Sequence, residues 1–210
     1  MNRSTKALID QLADDLTPVQ PMRPRKGWLL VALAGVATLA AVALLAGLWT
    51  GPLAGAATPF YFITNGLLLL VALAAASTAV TLANPSVGNR QDAPRWAAAA
   101  LAILPLTALT MAFVSGAGLV DPYSLHCLTS GTAASALSFV ALTYWLKRGA
   151  PVSTGSAGLF AGMAAGAIGS LAYGLSCPID SVEHLGLWHV LPVAICGALG
   201  RIALPRLIRW

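Results

Sequence analysis

Long apolar runs separated by short polar connections dominate the chain. The six runs that predict membrane-spanning helices are 28–48, 60–82, 96–119, 126–146, 157–175 and 186–204. Each is close to or above the roughly 20 residues that a helix needs to cross a bilayer. Because a helix satisfies its own backbone hydrogen bonds in hydrocarbon, the pattern predicts an all-α, polytopic membrane protein, a bundle of six transmembrane helices.

Composition agrees with this pattern and excludes a soluble domain. The chain of 210 residues is 58% hydrophobic and 9% charged, whereas soluble domains carry roughly 25% charged residues. No charged residue lies between Lys26 and Arg90. The net charge of +5 does not indicate a nucleic-acid partner, because the positions of the basic residues along the chain are explained by membrane orientation.

The basic residues all fall on one side of a six-span protein. They lie before span one, between spans two and three, between spans four and five, and at the end of span six: Arg3, Lys6, Arg23, Arg25, Lys26, Arg90, Arg95, Lys147, Arg148, Arg201, Arg206 and Arg209. The opposite connections carry Asp121, Asp180 and Glu183. Since Lys and Arg near helix ends stay in the cytoplasm, both termini are predicted to be cytoplasmic.

The segment before the first span predicts an amphipathic helix over residues 4–16. Its apolar residues Leu8, Ile9, Leu12, Ala13 and Leu16 recur at helical spacing, and a Pro-rich stretch follows them. The polar face is mostly acidic, which argues against an anionic lipid surface. Two alternatives remain, a protein groove that takes the helix and packing on the cytoplasmic loops of its own bundle. Two parts are therefore predicted, a cytoplasmic segment at 1–26, which is a partner-binding segment under the first alternative, and a transmembrane domain at 27–210, which is a sensor domain if the family resemblance given below holds.

Thiol and imidazole side chains collect on the predicted outer face. A possible metal site there comprises His126, Cys127, Cys177, Asp180, His184 and His189, and Asp180 and His184 are four apart, as on one helix face. Imidazole and thiolate are ligands for zinc and softer metals. Metal or redox sensing, a structural disulfide and incidental packing all fit this spacing. No catalytic residue is assigned, because one cysteine per loop supplies no thiol relay, and the chain is predicted not to be an enzyme.

Span five carries a small residue at every fourth position. Gly158, Gly162, Gly166, Ser170 and Gly174 form this stripe, which predicts close packing between helices. A homodimer through Gly158, Gly162 and Gly166 is the alternative. Apart from Arg201, near the cytoplasmic end of span six, no charged residue is predicted within the membrane, which weakens a transport function.

Several of these features occur together in a known family. They are the pattern Leu8-Ile9-x-x-Leu12-Ala13-x-Asp15-Leu16-x-Pro18-Val19, the pair His126-Cys127 at the head of span four, and Cys177-Pro178 leading to Trp188-His189. With this order on a six-span chain, the sequence resembles the NrsF-type anti-sigma factors, six-helix proteins of the bacterial inner membrane.

The resemblance implies a regulator that holds an extracytoplasmic-function sigma factor at the membrane. It implies signal sensing by Cys127 and Cys177, with heavy metal or oxidant as the signal, and no required cofactor beyond a soft metal ion as a possible signal. The residues that inherit sigma-factor binding are Leu8, Ile9, Leu12, Ala13, Asp15 and Leu16. The alternatives are a small membrane transporter, a thiol-active membrane protein that uses the outer Cys/His cluster, or a structural membrane subunit.

Overall fold

The computed structural model describes residues 3–14, 22–85, 92–116 and 118–208. Within these ranges the chain forms helices and no strand. The helices are α1 (Arg3–Asp14), α2 (Pro24–Ala46), α3 (Pro59–Leu82), α4 (Ala93–Ser115), α5 (Ser124–Arg148), α6 (Thr154–Gly174), α7 (Val182–Trp188) and α8 (Leu191–Leu207). The all-α prediction is confirmed. The predicted binding residues Asp15 and Leu16 lie outside the described residues.

Six segments are long and apolar enough to cross a membrane. They are α2, α3, α4, α5, α6 and the stretch Val182–Leu207 that contains α7 and α8. This confirms the six predicted spans, with two corrections at their ends. Span three ends at Ser115 rather than at 119, because Gly116 adopts the left-handed conformation (φ 70°) that ends helices.

The sixth span is not one continuous helix beginning at 186. It starts earlier, at Val182, and is interrupted around His189, where α7 ends and α8 begins at Leu191. Pro192 lies in the first turn of α8, and proline has no N–H to continue the hydrogen bonds of a preceding helix. The break places His189 at a junction between two helices instead of on a regular helix face.

Helix α6 is the centre of the bundle and packs on α3, α5 and α8. A Cβ added to Gly162 would lie 2.0 Å from the carbonyl oxygen of Cys196, and one added to Gly158 would lie 2.2 Å from that of Gly200. The predicted close packing is therefore found within one chain. Gly158, Gly162 and Gly166 face α8, so they are not a surface for a second copy of the chain.

The connections α2–α3, α4–α5 and α6–α7 meet at one end of the bundle. The Thr58 amide donates to Oδ2 of Asp180 (2.8 Å), and Nε1 of Trp188 donates to the Leu119 carbonyl (2.7 Å). We call this the acidic end, since Asp121, Asp180 and Glu183 lie there.

The start of α2 and the connection α5–α6 meet at the opposite, basic end. Nε1 of Trp145 donates to the Val80 carbonyl (3.1 Å), and the Ala150 amide donates to the Ala83 carbonyl (2.9 Å). Lys147 and Arg148 lie in the last turn of α5 here. Lys147 and Arg148 therefore lie at the end opposite to Asp121, Asp180 and Glu183, as the sequence predicts.

Candidate thiol and histidine site

Four buried side chains converge at the acidic end. Cys127, Cys177, His184 and His189 each offer one sulfur or ring nitrogen, and these four atoms all lie within 4.8 Å of one another. Cys127 is in the first turn of α5, Cys177 in the α6–α7 connection, His184 in α7, and His189 at its end. We call these four residues the Cys/His cluster.

The local sequence fixes the starts of the two helices that carry cluster residues. Before α5, Asp121 accepts a hydrogen bond from the Tyr123 amide (2.8 Å) and another from the Ser124 hydroxyl (2.9 Å). Before α7, the Ser181 hydroxyl accepts from the His184 amide (3.3 Å), an N-cap typical of serine. The turn at Asp121 and the Ser181 cap help to position Cys127 and His184.

The sulfur atoms of the cluster are close but not bonded. The two Sγ atoms of Cys127 and Cys177 are 3.7 Å apart, and both residues are free thiols. Sγ of Cys177 lies 3.5 Å from Nε2 of His184. Hydrogen bonding from the Cys127 thiol, helped by His184, outweighs burial and lowers the pKa of the Cys177 thiol. Of the two thiols, Cys177 is therefore the one that more readily becomes a thiolate, the form that binds metals or attacks oxidants.

Asp121 orients one of the histidines. Nδ1 of His184 lies 2.6 Å from Oδ2 of Asp121. Burial raises the pKa of this carboxyl, but the hydrogen bonds from His184, Ser124 and the Tyr123 amide together lower it below its usual value. An ionised carboxylate only accepts hydrogen bonds, so Nδ1 carries the proton and Nε2 is left to face the sulfur of Cys177.

His189 is held through its backbone and through its ring. The Ser170 hydroxyl of α6 donates to the His189 carbonyl, and Tyr173 stacks on the imidazole with ring centroids 6.5 Å apart. Nε2 of His189 is buried without a hydrogen-bond partner among the described residues. An unpaired buried nitrogen is unfavourable, and one ring nitrogen of His189 lies within 4.8 Å of the ligand atoms of the other three cluster residues.

Two residues of the predicted metal set lie outside the cluster. His126 is exposed, and its ring meets Tyr173 edge-on with centroids 5.8 Å apart. Asp180 accepts from the Thr58 amide. It does not share a helix face with His184, because α7 begins only at Val182. The third cysteine, Cys196, lies elsewhere in the bundle, with its sulfur 3.2 Å from the Ser135 hydroxyl.

Sequence reasoning missed Asp121 as a member of the site. The sequence indicates only an acidic residue in an outer connection and does not show which side chain its carboxylate contacts. Its position next to Pro122 just before α5 was an available signal, since an Asp at such a turn commonly caps the following helix. The contact between Asp121 and His184 joins residues that are distant in sequence, and local spacing does not reveal such a contact.

The arrangement has two chemical possibilities. Two sulfurs and two imidazole nitrogens are the ligand set of zinc and related soft cations. Alternatively, two adjacent thiols can be oxidised to a disulfide. No Lys or Arg contacts the cluster among the described residues, so the positive charge near Cys177 comes from the histidines or from a bound cation.

Comparison with known proteins decides the family. The family model described as NrsF, Negative regulator of sigma F, matches residues 12–210. The chain belongs to the NrsF family. It is 32% identical to the Anti-sigma-F factor NrsF of Caulobacter vibrioides (strain NA1000 / CB15N) over 215 residues, which cover 98% of this chain and 99% of that protein.

A second NrsF relative matches over a shorter region. It is the Probable anti-sigma-F factor NrsF of Azospira oryzae (strain ATCC BAA-33 / DSM 13638 / PS), 33% identical over 72 residues, or 34% of each chain. No solved structure matches the chain. The resemblance seen in the residues is confirmed, and NrsF is a family of regulators rather than of enzymes.

Proposed function

We propose that this NrsF-family chain is an anti-sigma factor of the bacterial inner membrane that holds an extracytoplasmic-function sigma factor and releases it on a stress signal. The observation that carries the proposal is the match to the Caulobacter anti-sigma-F factor over nearly the whole of both chains. Helix α1 is the binding element, and Cys127 and Cys177 are the sensing residues.

The exposure of α1 supports its role as the binding element. Every described side chain from Thr5 to Asp14 is exposed, with Leu8 56% and Leu12 59% exposed. Together with Ile9 these two leucines form one apolar stripe on a helix of 12 residues. Such a short helix is marginal alone in water, and an amphipathic helix of this kind binds by placing its apolar face in a groove of a partner.

The distribution of charge supports the orientation. Lys26, Lys147 and Arg148 lie at the basic end, together with the start of α2. Basic residues at helix ends stay in the cytoplasm, so the N- and C-termini and the sigma factor are on that side. The Cys/His cluster then faces the other, oxidising compartment.

The thiol pair supports a sensing role because its two sulfurs lie on different elements. A signal that joins Cys127 of α5 to Cys177 of the α6–α7 connection changes how these elements are held together. A soft metal ion would do so by binding both sulfurs. A two-electron oxidant would do so by accepting two electrons as the S–S bond forms and the thiol protons leave to water.

Helix α5 supplies a physical connection between the ends. From Cys127 it runs about 27 Å to Trp145, at 1.5 Å per residue. A Cβ added to Gly27, in the first turn of α2, would lie 2.7 Å from the Trp145 ring, so the two helices touch closely there. Helix α1 precedes α2 in the chain, and a signal must favour one arrangement of these helices over another to change sigma-factor binding.

Capture of the sigma factor tests the holding role. Full-length protein in detergent is used as bait in lysate of its own bacterium, and retained sigma factors are identified by mass spectrometry. Leu12→Asp should weaken retention roughly 30-fold, the effect of losing about 2 kcal/mol at an interface hot spot. Ala7→Asp is the matched control, because it adds the same charge to the opposite face of α1.

The outcomes separate the alternatives. Retention by the wild type and Ala7→Asp but not by Leu12→Asp supports the proposal. Equal retention by both variants would remove α1 as the binding element. If the wild type retains no sigma factor, and solute flux or thiol turnover is measured in proteoliposomes, the transporter or thiol-active alternative replaces the anti-sigma function.

A further inference from the structure

We propose that Cys127, Cys177, His184 and His189 form a tetrahedral binding site for one divalent d¹⁰ cation, Zn²⁺ or Cd²⁺, with Asp121 as the residue that positions His184. The site itself stands on geometry alone. Its effect on sigma-factor release rests on the proposed function.

The distances between the ligand atoms match the edges of a metal tetrahedron. With Zn–S of about 2.3 Å and Zn–N of about 2.05 Å, tetrahedral angles separate two sulfurs by roughly 3.8 Å and sulfur from nitrogen by roughly 3.6 Å. The observed separations are 3.7 Å between Sγ of Cys127 and Cys177, and 3.5 Å between Sγ of Cys177 and Nε2 of His184. All four candidate atoms lie within 4.8 Å of one another.

Asp121 and His184 form the pair that commonly supports a metal-bound histidine. A histidine that ligates a metal usually donates its other ring N–H to a carboxylate, which fixes the tautomer and the ring orientation. The contact of 2.6 Å between Nδ1 of His184 and Oδ2 of Asp121 has this geometry. It directs Nε2 toward the sulfur of Cys177, so that both atoms can bind one cation from neighbouring corners of the site.

His189 supplies an independent observation. The residue is 1% exposed, its Nε2 has no hydrogen-bond partner among the described residues, and its ring lies 5.4 Å from that of His184. Leaving such a nitrogen unpaired costs about 1–3 kcal/mol. A cation bound at Nε2 would remove this cost, and one ring nitrogen of His189 lies within 4.8 Å of the other three ligand atoms.

Charge also favours a divalent cation. Two thiolates and two neutral imidazoles around one divalent cation have no net charge, so the buried site avoids the cost of an uncompensated ion. Asp121 remains about one-third exposed beside it and connects the cluster to the solvent of the acidic end. Sulfur and nitrogen ligands without oxygen select against Mg²⁺ and Ca²⁺.

The test uses Co²⁺ as a spectroscopic probe of full-length protein in nanodiscs, reduced and stripped of metal. We expect one Co²⁺ per chain, with the visible bands of tetrahedral cobalt and a sulfur-to-cobalt charge-transfer band. Zn²⁺ or Cd²⁺ should displace Co²⁺, and excess Mg²⁺ should not. Cys127→Ser and Cys177→Ser should each weaken the charge-transfer band, whereas His184→Ala and His189→Ala should lower affinity at least 10-fold and keep both sulfurs.

Matched variants separate ligands from neighbours. Asp121→Asn should lower Zn²⁺ affinity about 10–100-fold, the usual effect of losing a partner of a metal-bound histidine, with unchanged band positions. His126→Ala, Asp180→Asn and Cys196→Ser remove the same kinds of group outside the cluster. They should keep wild-type affinity and spectrum.

Several results would overturn the proposal. The first is a wild-type Co²⁺ spectrum without tetrahedral bands in protein whose two thiols are shown to be reduced. The second is a loss of metal affinity in the control variants as large as that in the ligand variants. The third is that the thiols of the purified protein react only after a reductant is added, which indicates a resident disulfide. Sigma-factor capture is measured on the same preparations. Metal binding without capture would overturn the proposed function and leave the site, whereas capture without metal binding would do the reverse.

Discussion

The Cys/His cluster and helix α1 differ in how far their side chains are exposed to solvent. At the acidic end the Cys/His cluster is buried, with its side chains held by capped helices and by Asp121. Helix α1, which precedes α2 in the chain, instead exposes its apolar stripe. A selective detector for small ions needs a fixed, dry set of ligands, whereas a holder of a protein needs an accessible face. The difference supports two separable roles within one chain.

The largest expected effect comes from removing both thiols of the cluster. The double variant Cys127→Ser, Cys177→Ser should abolish the induction of sigma-dependent transcription by Cd²⁺ or oxidant, because no sulfur remains to be ligated or oxidised. Capture of the sigma factor should stay at the wild-type level. The measurement is a sigma-dependent reporter with and without the signal, beside the capture assay.

Cys196→Ser is the matched control for this double variant. It removes a buried thiol outside the cluster, and it should respond like the wild type. Loss of capture in the double variant, with normal membrane levels of the protein, would show that the two ends are not separable.

A smaller effect is expected where α6 and α8 touch. Gly162→Ala places a methyl group against the Cys196 backbone and should cost about 1–3 kcal/mol by overpacking. Because α8 follows directly after His189, its displacement should also weaken Zn²⁺ binding. The measurements are the thermal midpoint in detergent and the Zn²⁺ affinity.

Gly66→Ala is the control for this packing contact. A Cβ at Gly66 would meet nothing within 4 Å. The thermal midpoint of Gly66→Ala should therefore stay the same or rise, because alanine is more favourable than glycine in a helix by up to about 1 kcal/mol. Equal losses in the two variants would mean that the α6–α8 contact has no special role in positioning the cluster.

The smallest expected effect tests whether every carboxylate at the acidic end belongs to the site. Asp180→Ala removes the acceptor of the Thr58 amide and should destabilise the fold by about 0.5–1.5 kcal/mol. Zn²⁺ affinity should not change. Asp180→Asn retains an acceptor oxygen and should lie between the wild type and Asp180→Ala in thermal midpoint. A loss of metal affinity comparable to that of Asp121→Asn would place Asp180 within the site.

The spans were predictable because each depends on hydropathy within one segment. The break at His189 was missed because an apolar run continues across it, and only Pro192 indicates the interruption. The contacts within the Cys/His cluster were not predictable. They join α5, the α6–α7 connection and α7, and sequence spacing does not determine such distances.

The same limit explains the misplaced Asp180. Its separation of four residues from His184 implies a shared face only if the helix already includes position 180. Ser181 instead caps α7, so the helix starts at Val182. A serine at that position was a readable N-cap signal. By contrast, the choice between His126 and His189 as a neighbour of the thiols depends on how α5 is rotated against α6.

The order of the four cluster residues along the chain has a consequence for biosynthesis. Cys127 is made first and His189 last, and α7, α8 and their connection follow α6. Chains are synthesised from the N-terminus at roughly 5–20 residues per second, so α1 is complete well before the cluster. A newly made chain therefore contains the apolar stripe of α1 before the last three residues of the Cys/His cluster exist. A chain truncated after α6 would contain the holding element and lack three of the four side chains of the detector.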